Sequence, residues 1–386
     1  MNISVNRAEL LKAVVNVSKA INSASVSAVP VLGKILFSVE GDTLSVKASN
    51  QNSAISVKVK LDSTDGDCAF LFEAGAIKKI LSDAPSEQVT IYSTSDTSQL
   101  SLDYGVGTFM LGTDDASIYP DVLLDASGSS YKEIHVESPS EFLIGMARAL
   151  ACSGQDKNRP QLMSVLLDIH TDTMSIVGTS GIVLSQYDVK LSHPSEEQSE
   201  VVIPANIASI FLSGIISEDS EMHLFYNDKT IRLETDNETF TAIVLDFKYP
   251  KYARVVEQLS KTNSFKVDLL PFVSSIKRVA SPNSKVDRLI DLSVSQSGVV
   301  ASCNDIFSSY SARENINATE ITGDAPLECV SFNFDLLASL LKSLTSPHVT
   351  FNINGSSAAT SVVEEQEEGS TLKRVNIIMP MAKKKS

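Results

Sequence analysis

The side chains that could perform catalysis or bind a metal are few and widely spaced in this 386-residue chain. No two of its five histidines have the HxxxH or HExxH spacing of a zinc enzyme; they are His135, His170, His193, His223 and His348. The four cysteines form no CxxC pair, which favours reduced thiols over a disulfide framework or a zinc knuckle. We therefore predict no catalytic residue, no cofactor and no metal site.

Phosphate-binding and nucleophile motifs are missing as well. The GxG of Gly105 and Gly107 lacks both the third glycine and the following helix of a dinucleotide site. No GxSxG is present, so a nucleophile elbow is unsupported. An enzyme with a site at a domain boundary is the remaining catalytic alternative, and it would use Arg159 with Asp156, or His223 near Glu221.

The chain repeats itself at a period of about 130 residues. Pro120, Pro250 and Pro380 each follow an apolar, strand-like run and are 130 residues apart. Two further markers recur at nearly the same period, each at the start of a segment with helical spacing: Phe72, Ile203 and Phe332, and Val5, Val136 and Val267. A unit of this size can bury its own core. We therefore predict three similar domains, at residues 1–127, 128–255 and 256–386.

Each repeat has the same order of predicted elements. A short strand leads into an amphipathic helix, a strand hairpin, a second helix and a final meander. The hairpin turns fall at Gly41-Asp42, at Thr171-Asp172 and at Gln296-Ser297-Gly298. About two helices and seven or eight strands per repeat indicate an α+β fold, with the two helices packed on antiparallel sheet.

The charge pattern restricts the function. The net charge is −15, and a uniformly acidic surface would repel nucleic acid. The predicted helices together carry a small positive charge, however, so the remaining sequence is strongly acidic. If the helices share one surface, that surface would attract phosphates without reading base sequence. No apolar run is long enough for a bilayer and no secretory signal begins the chain, so we expect a cytoplasmic protein.

The sequence resembles the bacterial β sliding clamp of DNA polymerase III over essentially its whole length. The similarity rests on the opening helix followed by VPVL at 29–32, on YPKYARVV at 249–256 and on IIMPM at 377–381. The resemblance implies the DNA clamp fold in all three domains and a head-to-tail homodimer that forms a six-domain ring. It also implies a non-catalytic processivity factor, a sliding ring that encircles duplex DNA.

The resemblance further implies a set of partners. These are double-stranded DNA without sequence preference, the replicative polymerase catalytic subunit, a clamp loader, and repair or replication proteins that carry a clamp-binding peptide. A bacterial, nucleoid-associated location and no membrane contact follow. The alternative is an acidic three-domain protein-interaction scaffold that does not bind DNA.

By resemblance, a partner-peptide pocket lies between the second and third domains. Its residues would be Arg159, Leu162, Thr179, Leu184, Pro250, Arg254, Val255, Asn333, Leu336, Ile377, Ile378, Met379, Pro380 and Met381. The sequence departs from the family at Ile182-Val183, where His-Arg is usual, so the peptide preference is expected to differ. A basic tail, Ala382–Ser386, follows the pocket segment.

The resemblance also assigns DNA-facing and dimer residues. The basic residues expected to face DNA are Lys12, Lys19, Lys78, Lys79, Arg148, Lys157, Lys277 and Arg278. The ring would close where the edge strand Thr108–Gly112 meets the third domain of the partner chain. Phe109 and Leu111 would there contact Val279 and Ala280 across the interface.

Overall fold

The computed structural model describes residues 1–93, 98–120, 130–215, 221–260, 262–281, 288–305, 310–323, 329–365 and 371–382. The helices are α1 (Arg7–Val17), α2 (Ser23–Ala28), α3 (Ala74–Asp83), α4 (Pro139–Cys152), α5 (Ala205–Ile210), α6 (Tyr252–Glu257), α7 (Leu269–Ala280) and α8 (Phe334–Lys342). Short 3₁₀ helices occur at Ser18–Ala20, Pro30–Gly33, Ala116–Ile118 and Pro160–Leu162. A π-helical segment at Phe211–Ile215 continues α5.

The described strands are all paired antiparallel. They are β1 (Asn2–Asn6), β2 (Lys34–Glu40), β3 (Thr43–Ser49), β4 (Ser53–Lys60), β5 (Ser63–Thr64), β6 (Cys68–Glu73), β7 (Gln88–Ser93), β8 (Gln99–Asp103), β9 (Thr108–Gly112), β10 (Lys132–Ile134), β11 (Ser164–Ile169), β12 (Thr173–Thr179), β13 (Val183–Lys190), β14 (Ser199–Pro204), β15 (His223–Tyr226), β16 (Thr230–Glu234), β17 (Glu238–Ile243), β18 (Asn263–Asp268), β19 (Leu289–Ser295), β20 (Gly298–Asp305), β21 (Tyr310–Ile316), β22 (Ala318–Thr322), β23 (Val330–Asn333), β24 (His348–Ile353), β25 (Thr360–Glu364) and β26 (Arg374–Ile378).

The predicted threefold order of elements is confirmed. A strand and then α1, α4 or α7 opens each repeat, a hairpin follows, and α3, α5 or α8 precedes three further strands. The three predicted hairpin turns join β2 to β3, β11 to β12 and β19 to β20. The element order therefore follows directly from the spacing of apolar residues and turn residues along the chain.

Side chains at the ends of the strands fix where the helices start. Asn6 accepts hydrogen bonds from the backbone N–H groups of Ala8 and Glu9 and so caps α1. Glu73 caps α3 by accepting from Ala76 N at 2.6 Å. A cap of this kind satisfies backbone donors that the first turn of a helix leaves unpaired.

The chain divides into two compact units. The first comprises Met1–Pro139 with Ser213–Val244, and it holds a sheet of order β5-β1-β7-β8-β9 and an eight-stranded sheet of order β10-β15-β16-β17-β4-β3-β2-β6. The β4–β17 pair joins strands of the first and second repeats within this unit. Asn16 on α1 adds a buried hydrogen bond of 2.7 Å to Glu238 of β17.

The second unit comprises Ser140–Leu212 with Leu245–Ser386. Its larger sheet has the order β14-β11-β12-β13-β26-β25-β24-β18-β22, and its smaller sheet the order β21-β20-β19-β23. The β13–β26 pair joins strands of the second and third repeats in one continuous sheet. Helices α7 and α8 cover an apolar core that includes Phe265, Phe272 and Phe351.

A glycine on β12 lets α4 lie directly against the larger sheet. A Cβ atom built on Gly178 would lie 1.9 Å from the carbonyl oxygen of Ala149 in α4. No side chain fits in that space, so the approach of helix to strand requires glycine.

We expect Gly178→Ala to lower the free energy of unfolding by about 1–3 kcal/mol or more, because the added methyl group must push the helix backbone away. Gly112→Ala on β9 is the matched control, since a Cβ there meets nothing within 4 Å. Urea denaturation of both variants measures the difference. Equal stability of the two variants would contradict this account of the α4 contact.

Candidate functional site

An apolar groove lies in the second unit where β12 and β26 end and β13 begins. Its volume is about 230 Å³. Twelve residues line it: Leu162, Thr179, Gly181, Ile182, Val183, Leu184, Pro250, Lys251, Tyr252, Val255, Ile377 and Met379. Most of these side chains are aliphatic or aromatic, so the groove suits an apolar ligand with few polar contacts.

The turn between β12 and β13 forms one wall of the groove. Gly181 has a φ of +86°, a conformation that glycine adopts without steric cost. Thr179 Oγ1 accepts from Gly181 N at 3.0 Å and donates to the Val183 carbonyl oxygen at 2.7 Å. Ser180 Oγ accepts from the N–H groups of Ile182 and Val183. The two hydroxyls and the N–H groups of the turn are thus hydrogen-bonded within it, and Ile182 supplies an apolar wall.

The C-terminal strand forms the adjoining wall. β26 pairs with β13 in a register that sets Ile377 opposite Leu184. Just beyond the strand, Met379 N donates to the Ile182 carbonyl oxygen at 2.8 Å. This bond fixes the backbone of Met379, while its flexible thioether side chain can adapt to different ligands.

Two tyrosines support the groove from the segment around Pro250. Tyr252 N donates to the Pro250 carbonyl oxygen at 2.7 Å, and its hydroxyl donates to Asp168 Oδ2 at 2.6 Å. The hydroxyl of Tyr249 donates to the Val177 carbonyl oxygen at 3.3 Å. Burial raises the pKa of both phenols well above the ordinary value, so both stay protonated and keep these bonds.

The structure brings together half of the residues assigned to the pocket by resemblance. Those that line the groove are Leu162, Thr179, Leu184, Pro250, Val255, Ile377 and Met379. Sequence reasoning missed Gly181, Lys251 and Tyr252 as lining residues, and it noted Ile182 and Val183 only as departures. Their adjacency to assigned residues on the same turn or segment was the available signal.

The other assigned residues do not line this groove. They are Arg159, Arg254, Asn333, Leu336, Ile378, Pro380 and Met381. Ile378 is fully buried in the core under α7 and α8. Asn333 caps α8 by accepting from Leu336 N at 3.0 Å, so its carbonyl group has a structural role. Arg159 is exposed, with Nε 3.8 Å from Asp156 Oδ2.

Five of the residues assigned to DNA carry exposed ammonium groups: Lys12, Lys78, Lys79, Lys157 and Lys277. Lys19 is half-buried, and its Nζ donates to Asn16 Oδ1 at 2.7 Å and to the Ser213 carbonyl oxygen at 2.6 Å. Arg278 is exposed but pairs with Glu314, which raises the arginine's pKa further. The five exposed lysines are therefore more accessible to a phosphate group than Lys19 or Arg278.

Arg148 cannot face DNA, so the expectation that it contacts DNA is wrong. Only 3% of its side chain is exposed. Its guanidinium pairs with Glu364, donates to Thr345 Oγ1 at 3.0 Å and lies 4.5 Å from the ring centroid of Tyr187. An arginine on an amphipathic helix is usually exposed, and only the tertiary fold reveals that this one is paired inside.

The residues assigned to the dimer interface also differ in their exposure to solvent. Phe109 is 39% exposed on β9, which is an edge strand of its sheet, whereas Leu111, two residues further along on the same face, is 9% exposed and buried. Val279 and Ala280 are 2% and 0% exposed, because they lie on the inner face of α7. Their side chains therefore cannot form the opposite surface, which corrects that part of the assignment. Residues 383–386 of the basic tail lie outside the described residues.

Sequence comparison identifies the family. The family model of the DNA polymerase III beta subunit, N-terminal domain, matches residues 1–124. The model of the central domain of the same subunit matches residues 142–251. The chain is 23% identical to the beta sliding clamp of Pseudomonas aeruginosa, over 99% of this chain and all of that protein. It is 25% identical to that of Streptococcus pneumoniae serotype 4, over 91% and 92%.

Solved structures agree on the fold. A sliding clamp of Pseudomonas aeruginosa bound to griselimycin superposes with a TM-score of 0.89 at 22% identity and covers 99% of both chains. The sliding clamp of Bacillus subtilis gives a TM-score of 0.87 at 19% identity and covers all of both chains. The predicted fold class, three domains of the α+β clamp fold, is confirmed.

Because these two family models together match more than half of the sequence, the chain belongs to the DNA polymerase III beta subunit family. Members of this family are sliding clamps, the non-catalytic accessory subunits that make a DNA polymerase processive. DNA and a DNA polymerase are therefore the partners of this chain. No helix in the described part of the chain has the length and apolar character needed to cross a membrane.

The corrected role of Arg148 gives a test. We expect Arg148→Ala to lower the free energy of unfolding by about 3–5 kcal/mol, because it leaves the buried Glu364 carboxylate without its partner. Lys277→Ala, which removes an exposed cation, should change it by less than about 0.5 kcal/mol. Chemical denaturation measures both values, and a similar small loss in the two variants would contradict the buried pairing.

Proposed function

We propose that this chain forms a head-to-tail homodimeric ring that slides on duplex DNA and holds the replicative polymerase through a peptide seated in the groove. The observation that carries the proposal is the apolar groove where β12 and β26 end and β13 begins, in a chain that belongs to the clamp family. The three-domain division at residues 127 and 255 is part of the proposal.

The groove supports the binding of a short apolar peptide. Burial of one aliphatic side chain contributes about 1.5–3 kcal/mol, so two such side chains would contribute about 3–6 kcal/mol. Ordering of the peptide offsets part of this gain. The resulting affinity is modest, which suits a groove that several partners occupy in turn, including the clamp loader and repair proteins.

The aliphatic wall sets the peptide preference that we propose. Ile182 and Val183 stand where the resemblance leads us to expect His-Arg, and the hydroxyls of Thr179 and Ser180 are hydrogen-bonded within the turn. A charged peptide group against the Ile182 side chain would lose water without gaining a partner there, since the charged residue that lines the groove is Lys251, in the segment around Pro250. The preferred peptide therefore places apolar side chains against Ile182 and Met379.

The edge strand β9 supports the dimer. Phe109 and Met110 are 39% and 54% exposed on this strand, whose outer edge has no neighbour among the described residues. An exposed apolar edge promotes association with another strand, so a partner chain that covers it is physically favourable. A head-to-tail contact of this kind closes into a ring when the rotation between subunits permits.

Weak contacts to DNA suffice in a closed ring. The exposed lysines attract phosphates through an interaction that salt screens, and they do not read bases. The ring then stays on DNA by topology while it slides. Tethering raises the local concentration of the polymerase at the primer end. A cytoplasmic, nucleoid-associated location follows from this proposal.

Met379→Ala tests the groove. We expect fluorescent peptides tiled from the replicative polymerase of the same organism to bind about 10-fold more weakly, because the substitution removes roughly 1.4 kcal/mol or more of apolar contact. Met381→Ala is the matched control, since Met381 does not line the groove, and its affinity should stay within about threefold of the wild type. Unchanged affinity of Met379→Ala would overturn the groove assignment.

Phe109→Asp tests the ring. Light scattering of the wild type should give about 83 kDa, twice the chain mass of 41.6 kDa, and the variant should approach the mass of one chain. Phe247→Asp is the control, because Phe247 is similarly exposed, at 48%, but lies far from β9 in sequence and outside any edge strand. A wild-type protein that stays monomeric at high concentration, and is not retained on closed circular DNA after loading, would favour the scaffold alternative.

A further inference from the structure

Two histidines and a glutamate converge at the edge of the eight-stranded sheet, although no sequence motif links them. Glu133 lies on β10, the outermost strand, and His135 follows directly after that strand. The antiparallel register pairs Glu133 with Phe225 and Ile134 with Leu224 of β15. The next position along both strands brings His135 opposite His223, on the same face of the sheet as Glu133.

The three side chains are close enough to share one ion. Glu133 Oε1 lies 2.9 Å from His223 Nδ1, and Glu133 Oε2 lies 3.5 Å from His135 Nε2. One donor atom from each residue lies within 4.8 Å of the other two. Donors bound to one tetrahedral zinc ion at about 2.0–2.2 Å are roughly 3.3–3.6 Å apart. Small rotations of these half-exposed side chains would bring the donor atoms from within 4.8 Å of one another to the separation found around zinc.

The donor set selects the class of ion. Two imidazoles and one carboxylate suit zinc and related divalent transition metals, whereas calcium and magnesium prefer oxygen donors alone. Further carboxylates lie around the cluster and increase the local negative potential. Glu221 Oε1 is 3.6 Å from His223 Nε2. Glu234 lies opposite His223 in the register of β15 and β16, and the Glu234 carboxylate forms an ion pair with Arg232.

We propose that Glu133, His135 and His223 form a divalent transition-metal site, with Zn²⁺ as the fitting ion and water completing its coordination. The ion would connect β10 to β15 beyond the last backbone pair of the two strands. Since β10 is three residues long and pairs with one strand, β15, within the described part of the chain, this link would stabilise the sheet edge where the second repeat begins. The site is independent of the peptide groove and of the ring proposal.

The protonated histidine offers a competing explanation of the same geometry. The hydrogen bond from His223 to Glu133 raises the pKa of that imidazole, so the cluster can also persist as a charged hydrogen-bonded pair. A metal must displace this proton, because only the neutral imidazole binds it. Direct titration with the ion separates the two explanations.

The test uses the full-length chain, stripped with chelator and titrated with ZnCl₂ by calorimetry, with the absorption spectrum of bound Co²⁺ as a second readout. We expect one ion per chain and a rise in the thermal midpoint on zinc addition. His223→Ala and His135→Ala should each weaken binding by at least about 10-fold, the smallest loss found even for residues that only support a metal ligand. Glu133→Gln, which keeps a hydrogen-bonding side chain, should also weaken it.

His348→Ala is the matched control. His348 is likewise half-exposed, and its Nδ1 lies 2.8 Å from Asp268 Oδ1, but that pair belongs to no three-residue donor group among the described residues. This variant should bind zinc as the wild type does. Binding that is absent in the wild type, or that is unchanged in the His135 and His223 variants, would overturn the proposal.

Discussion

The pairing of β13 with β26 is the interaction on which the groove depends. Five residue pairs join Val183–Tyr187 to Arg374–Ile378, and the paired residues lie 187 to 195 positions apart in the chain. Tyr187 reinforces the pairing, since the guanidinium groups of Arg374 and Arg148 lie 4.3 Å and 4.5 Å from its ring centroid. Its hydroxyl donates to Glu141 at 2.6 Å, and Glu141 also pairs with Arg374.

This cluster explains why the wall of the groove is well placed. Cations over an aromatic face are attracted by the ring, and the attraction grows when water is excluded. Arg148 is buried with Glu364 and the partly exposed Arg374 pairs with Glu141, so each cation in the cluster has a carboxylate partner. The backbone of β26 is thereby fixed in register, and the chain continues directly to Met379 in the groove.

Charge has two separate uses in this chain. Arginines on the helices and strands mostly serve the fold, as the pairs of Arg148, Arg374 and Arg278 demonstrate. The exposed positive charge on the helices is carried largely by lysines, whose ammonium groups are strongly hydrated and flexible. Such groups suit transient contact with a phosphate backbone better than fixed, bidentate recognition does.

The sequence by itself determined the threefold repeat, the order of helices and strands, and the family, because each depends on local periodicity and short motifs. It also located the strand ends and the Pro250 segment that meet in the groove. Only the tertiary structure decided which side chains are accessible: Arg148 and Val279 are buried, although their helical positions allowed exposure. The same holds for His135 and His223, which strand register brings together from 88 residues apart. Burial and register depend on contacts between distant segments, and no local pattern of residues encodes them.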